Sequence, residues 1–189
     1  DLAFELQKRG YKVTVLTGLP NYPEGKIYDG YGIFKKRKQI INGVEVIRVL
    51  TISRGKGRAF RLFLNYFSYA FFGTIKAFFL CFKTKYDAVI VHEPSPITQY
   101  YPALLINKLS KTPVYFWVMD LWPESLIASG GVNNKFILNF FKKMVIKFYE
   151  NSNKDSQISS FETHIEASIK LQIPLIIHSR NAEKETFEI

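Results

Sequence analysis

Leu2, Ala3 and Leu6 recur at helical spacing, and Gly10 stands where such a helix ends. The next residues, "YKVTVLT" (11–17), alternate between apolar and polar and read as a strand. A helix feeding a strand is the second half of a strand–helix–strand unit, so the pattern predicts a further strand before it. Further on, "KKRKQI" and "VEVIRV" flank Asn42-Gly43, a pair that readily takes the positive φ angles of a two-residue hairpin turn. A phenylalanine-rich segment (59–82) has helical character. "YDAVIVH" (86–92) and "PVYFWVM" (113–119) are apolar nearly throughout, as strands covered on both faces are, and a helical stretch from Ile97 to about Leu109 lies between them. Another helix is expected from about Lys135 to Tyr149. "NSNKDSQISS" (151–160) is polar without a period; a helix over about 161–171, a short buried strand (174–177) and a second helix start follow it. Alternation of this kind predicts an α/β fold: a Rossmann-like parallel sheet with an appended helix–strand–helix fragment. The expected divisions are 1–150, a junction at 151–160, and 161–189.

Charge changes this picture at one place. The chain carries a formal charge of +10, with 47% hydrophobic and 22% charged residues, a globular composition with affinity for something acidic. Cys81 stands alone, so no internal disulfide forms. Lys35, Lys36, Arg37, Lys38, Arg48, Arg54, Lys56, Arg58 and Arg61 face Glu45 as their one acidic neighbour in that stretch. A solvated basic surface is the ordinary reading. The aromatic segment that follows, "AFRLFLNYFSYAFFGTIKAFFLCF", adds a second one. Its longest run without a charge, Leu62 to Ile75, falls short of the ~20 apolar residues that cross a bilayer. The segment is therefore either a helix buried on most faces, which is the preferred expectation, or a helix lying in a membrane interface beside anionic headgroups. A cytoplasmic chain, peripheral on the inner membrane face in the second case, is expected; nucleic acid is the less expected partner, and nothing fixes an oligomeric state.

Candidate chemistry gathers where strands end, because open parallel sheets bind ligands at their carboxyl edge. Three predicted strands lead into "GLPNYPEG", "HEPSP" and "DLWPES". His92 follows a buried strand; it is either a structural histidine or a group that exchanges hydrogen bonds with a sugar hydroxyl. Asp120 caps the helix that starts near Pro123, contacts a ligand together with Glu124, or does both. Residues 18–32 form a long connector that brings Asn21, Tyr22 and Gly25 together. Its aromatic and amide groups suit stacking and directional hydrogen bonds to sugars, although a plain turn-rich linker has the same composition. Cys/His metal spacing, the G-x-x-x-x-G-K-[ST] phosphate loop and the G-x-S-x-G nucleophile turn are all missing from this sequence.

Taken in order, "LAFELQKRGYKVTVLTGLPNYPEGKIYDGY", "VHEPSP" and "VMDLWPESL" resemble the acceptor-side, amino-terminal half of family 4 glycosyltransferases of the two-lobed GT-B fold, over roughly residues 1–150. The resemblance implies a retaining transferase in cell-surface polysaccharide synthesis. Such an enzyme uses a nucleotide-sugar donor and a lipid-linked or saccharide acceptor, generally without a metal. It matches His92 with a histidine near the transferred sugar and Asp120 with the aspartate that opens the next loop. It also implies a first strand and a glycine-rich turn ahead of Asp1, and a carboxyl-terminal lobe that holds the nucleotide; neither is in this sequence. The chain is accordingly expected to bind no cofactor and to be inactive alone. From Phe161, "FETHIEASIKLQIPLIIHSRNAEKETFEI" resembles an internal piece of TatD-type metal-dependent deoxyribonucleases, with the likeness reaching back to about residue 157. That likeness matches His178 with a metal ligand, but the remaining ligands have no counterpart, so no working metal site is expected. A remnant of such a hydrolase and a non-catalytic membrane-surface module are the alternatives to a transferase fragment.

Overall fold

The computed structural model describes residues 2–93, 97–118, 135, 138, 139, 142, 143, 154–172 and 183–188. The chain divides into two compact units, Asp1–Asn133 and Asn134–Ile189.

The first unit is mixed α/β. Helix Leu2–Lys8 (α1) stops where Gly10 takes φ +89°, which lets the Tyr11 N–H close on the Leu6 carbonyl at 3.1 Å. Strand Thr14–Gly18 (β1) follows. Lys38–Ile41 (β2) and Val44–Val49 (β3) form the expected hairpin, with Ile41 opposite Val44 and φ of 48° at Asn42 and 81° at Gly43. Two successive positive φ angles give the turn that matches strand twist, which is why so local a signal was legible. β1 pairs parallel with β3, Val15 opposite Val46. β3 is the centre of this ladder, and Val44, Val46, Ile47 and Val49 are all buried.

Strands Val89–Glu93 (β4) and Val114–Val118 (β5) pair parallel, Val91 opposite Phe116. Between them a 3₁₀ turn, Ile97–Tyr100, runs into helix Tyr101–Ser110 (α3). The single parallel sheet expected from the sequence is not observed. Among the described residues two ladders stand in its place, ordered β1-β3-β2 and β4-β5, and no hydrogen-bonded pairing joins them. The first is mixed, because the hairpin adds β2 antiparallel.

Helix Ala59–Lys83 (α2) packs on β1 and β3 of the first ladder and on α3 and the 3₁₀ turn beside the second. Its buried face corrects the expectation that the helix is enclosed on most sides. That face is built mainly from small residues, Ser68, Ala70, Gly73 and Ala77, together with Asn65 and Leu80. A Cβ on Gly73 would lie 3.0 Å from the Pro102 side chain, so small residues are what let α2 and α3 approach. The phenylalanines mostly face the other way. Phe60, Phe63, Phe67, Phe71, Phe78, Phe79 and Phe82 are exposed. A segment apolar around its whole circumference carries no sign of which face it buries.

Glu45 ties three strands together. Its carboxylate meets Lys38 Nζ at 2.6 Å and accepts from Thr14 Oγ1 at 3.3 Å. The Lys38 hydrogen bond is the main reason the Glu45 carboxyl lies below its ordinary range. The stabilisation is therefore present above the unfolded carboxyl pKa and is lost as pH falls through the lower folded value. Both side chains reach water, so Glu45→Gln is expected to cost under about 1 kcal/mol at pH 7. At pH 3 the cost should be smaller. Urea unfolding at the two pH values checks this, and a cost that grows toward low pH would contradict it.

In the second unit, helix Lys154–Leu171 (α4) begins within the polar stretch expected as a junction, ahead of the helix expected over about 161–171. Polar residues form a helix readily when most of it faces solvent; Lys154, Asp155 and Ser159 are exposed, and Thr163 Oγ1 donates to the Ser159 carbonyl at 2.9 Å. Helix Glu183–Glu188 (α5) fits the expected helix start, with Lys184 Nζ 3.7 Å from Glu188. The strand expected at 174–177 and most of the helix expected at 135–149 lie outside the described residues.

Candidate functional site

The connector after β1 is pinned to the segment after β3 by buried polar groups. Thr51 Oγ1 accepts from the Leu19 N–H at 3.1 Å, and Leu19 is buried. Asn21 is buried as well. Its amide donates to the Leu19 carbonyl at 2.8 Å, and its Oδ1 accepts the Arg54 N–H at 3.2 Å. Both ends of that side chain are thus used in holding the two loops together. Asn65 and Ser68 of α2 continue the network: Asn65 Nδ2 donates to the Ile52 carbonyl at 2.5 Å, while Ser68 Oγ accepts the Ile52 N–H at 2.9 Å.

Gly25 sits at the crossing of the two loops. Its N–H donates to the Asn21 carbonyl at 2.8 Å, and its own carbonyl accepts the Gly55 N–H at 2.8 Å. With φ at +73° and the Gly55 oxygen pressed against it, this position has room for a hydrogen only. Tyr22, by contrast, is 70% exposed and precedes Pro23 through a cis peptide bond. Tyr28 donates its hydroxyl to the Tyr22 carbonyl and shares it with the Glu24 carboxylate. That hydrogen bond lowers the Glu24 pKa and raises that of Tyr28.

Arg54 is the residue that the sequence reading did not single out. Its guanidinium lies over the Tyr22 ring at 5.1 Å and the Tyr66 ring at 5.6 Å, and Nη2 donates to the Tyr66 hydroxyl at 2.8 Å. Tyr22, Pro23, Glu24, Arg54, Lys56 and Leu62 line an open concavity of about 360 Å³. An oriented cation between two aromatic rings can bind an oxyanion and offer faces for a sugar ring to stack on. The signal was present only as one more arginine in a basic run, because its partners lie far away in the sequence.

His92, next to last in β4, is exposed, its ring edge-on to Trp117 of β5 at 5.8 Å. Close by in the chain, Thr98 Oγ1 is buried with no hydrogen-bond partner among the described residues. The structure therefore brings Asn21, Tyr22 and Gly25 together in one loop assembly, with Arg54 added, and sets His92 at the end of the other ladder. Asp120, Glu124 and His178 lie outside the described residues. Among the described residues there is no group of three or more His, Cys, Asp or Glu side chains able to hold a metal.

A family model matches part of the chain. It is described as TatD related DNase and covers residues 146–189. No curated protein and no solved structure matched. The matched stretch includes all of α4 and α5 and is a minor part of the chain, so it characterises that segment alone.

Proposed function

We propose that the chain carries, over about residues 1–150, the acceptor-side part of a retaining glycosyltransferase that uses a nucleotide-sugar and a lipid-linked or saccharide acceptor at a membrane surface. The observation that carries this reading is the order of the two ladders. A doubly wound sheet places its first strand between its second and fourth. With β1 and β3 taken as the second and third strands, and β4 and β5 as the fourth and fifth, the break between ladders falls where that first strand stands. The strand implied by the family resemblance is the same one. The antiparallel β2 is then an added hairpin arm.

In this reading the Asn21–Gly25 loop and Arg54 form the acceptor wall, with Tyr22 and Tyr66 stacking and Arg54 holding the acceptor's phosphate. His92 meets the transferred sugar, and Asp120 and Glu124, which lie outside the described residues, are the further candidates for substrate contact. Asn21 and Gly25 act by shaping the loop. Stabilising charge on a departing diphosphate requires a donor lobe, so binding is the property to test. Titrating the full chain with a polyprenyl-diphosphate-linked monosaccharide in micelles should show saturable binding, weakened about tenfold by Arg54→Ala. Identical binding by the wild-type and Arg54→Ala chains, or none by either, overturns the proposal.

The family match favours a second reading, a TatD-type hydrolase remnant. It requires metal-dependent DNA cleavage that His178→Ala abolishes. The expected result with magnesium or manganese is no cleavage.

A further inference from the structure

α2 presents an apolar ridge to solvent. Phe60, Phe63, Phe67, Phe71, Ile75, Phe78 and Phe82 follow one another at steps of three or four residues, so they share one face, and each is at least 42% exposed. Phe63 and Phe67 stack at 6.0 Å, Phe67 and Phe71 at 6.5 Å, and Phe78 and Phe82 meet edge-on at 4.9 Å. No charged residue interrupts the ridge; Arg61, Lys76 and Lys83 lie on other faces of the helix. Such a ridge exposes on the order of 700 Å² of apolar surface, well beyond the few hundred that a monomer normally leaves to water. α2 does not cross a bilayer, since among the described residues no helix is long and apolar enough to do so.

The ends of the ridge supply the charge. Arg58 precedes the helix and Arg61 lies in its first turn, and together with Lys56 they line one concavity. Lys83 and Lys85 stand exposed just beyond Phe82. Among the described residues no carboxylate pairs with Lys56, Arg58 or Arg61. Arg58 and Arg61 also sit where the helix macrodipole disfavours cations, and the first turn contains no acidic residue. Folding does not account for that placement, whereas an external anion does. Of the basic stretch seen in the sequence, Arg48 is buried, with Nη1 on the Gln39 Oε1 at 2.7 Å, and Arg37 is turned onto backbone carbonyls. Lys35, Lys36 and Lys38 also stay exposed, Lys38 on Glu45 and Lys36 over the Tyr31 ring, and Lys56, Arg58 and Arg61 are the cations that stand at the start of the ridge.

We infer that this ridge is the face by which the protein docks on an anionic lipid bilayer. The phenylalanines enter the headgroup–acyl boundary, and the cations at each end meet lipid phosphates. A lipid surface fits better than a second copy of the chain, because two copies apposed along the ridge would also bring their cationic ends together unless they ran with a large offset. The inference rests on the acceptor reading only for why a membrane is met; vesicle binding without acceptor binding would sink that reading and leave this one standing.

The test is co-sedimentation of the full chain with vesicles of phosphatidylcholine alone or mixed with phosphatidylglycerol. Binding should rise roughly 100-fold with the anionic lipid and fall as salt increases. Phe67→Ser/Phe71→Ser should weaken binding at least about tenfold on both lipids. Since both side chains are already exposed, the variant should melt by circular dichroism like the wild type. Arg58→Glu/Arg61→Glu should remove most of the preference for anionic lipid and keep the salt-insensitive remainder. Failure of the wild-type chain to sediment with anionic vesicles overturns the inference. So does unchanged binding by the phenylalanine variant, or a wild-type dimer which that variant dissociates, since either outcome gives the ridge another role or none.

Discussion

Gly25→Ala is expected to lower the stability of the first unit by about 3 kcal/mol or more. Two separate effects add at this position. The backbone holds φ at +73°, which an L side chain tolerates at a cost of about 1 kcal/mol. The new Cβ would also fall 1.8 Å from the Gly55 oxygen, a distance no non-bonded pair of heavy atoms sustains. Gly55 cannot simply withdraw, because its N–H is bonded to the Gly25 carbonyl and the adjoining Arg54 N–H is bonded to Asn21. Relief of the clash therefore opens the loop crossing itself and moves the Arg54 guanidinium away from Tyr22. Gly57→Ala provides the control. It has the same φ of +73° with nothing within 4 Å, so only the conformational cost of about 1 kcal/mol should appear. Urea unfolding followed by circular dichroism compares the two variants. Equal losses would mean that the crossing yields without cost and is no rigid part of a binding wall.

The parts of this fold that were legible in the sequence are those whose causes are local. Asn42-Gly43 dictates its hairpin by its own φ preferences, and Gly10 ends α1 in the same way. The extent of α2 was readable from an unbroken run of residues without proline, but its orientation was not. Phenylalanine suggested a core, and the core contact is made by Gly73, Ala70 and Ala77 because close helix approach needs small side chains more than large ones. Asn21 illustrates the same limit in the site. An amide in a polar loop suggests an outward hydrogen-bonding group, and only its contacts to Leu19 and Arg54 show it turned inward. Arg54 depends on Tyr22 and Tyr66, which approach it from other segments, so no window of sequence contained the cluster. The separation of the sheet into two ladders is likewise non-local. Each strand was recognisable alone, whereas the absence of pairing between ladders among the described residues belongs to none of them.

Between pH 10 and pH 12 the first unit is expected to lose on the order of 2–3 kcal/mol of stability through Tyr69 alone. This residue of α2 donates its hydroxyl to the Leu16 carbonyl of β1 at 3.2 Å, and burial pushes its pKa up to about 12. The direction follows from proton occupancy. An unfolded tyrosine releases its proton near pH 10, while the folded one keeps it until about pH 12, so the unfolded state gains stability throughout that interval. The contribution is complete below pH 10 and gone once pH passes the folded value. The hydrogen bond explains why the site cannot adapt by ionising in place. The Val13 carbonyl accepts from the Glu45 N–H, so along β1 the carbonyl of Leu16 points to the opposite edge, which pairs with no strand among the described residues and where the tyrosine proton satisfies it. A phenolate there would set negative charge against a carbonyl oxygen. Tyr69→Phe should therefore be less stable by about 1 kcal/mol at pH 8 and lose less on going to pH 12. Tyr28 and Tyr100 are also raised and add the same sign in both proteins, so the difference between wild type and variant isolates Tyr69. Urea unfolding at pH 8, 10 and 12 measures it. Parallel declines in the two proteins would show that Tyr69 ionises freely, and the seal between α2 and the open edge of β1 would then be no closed contact.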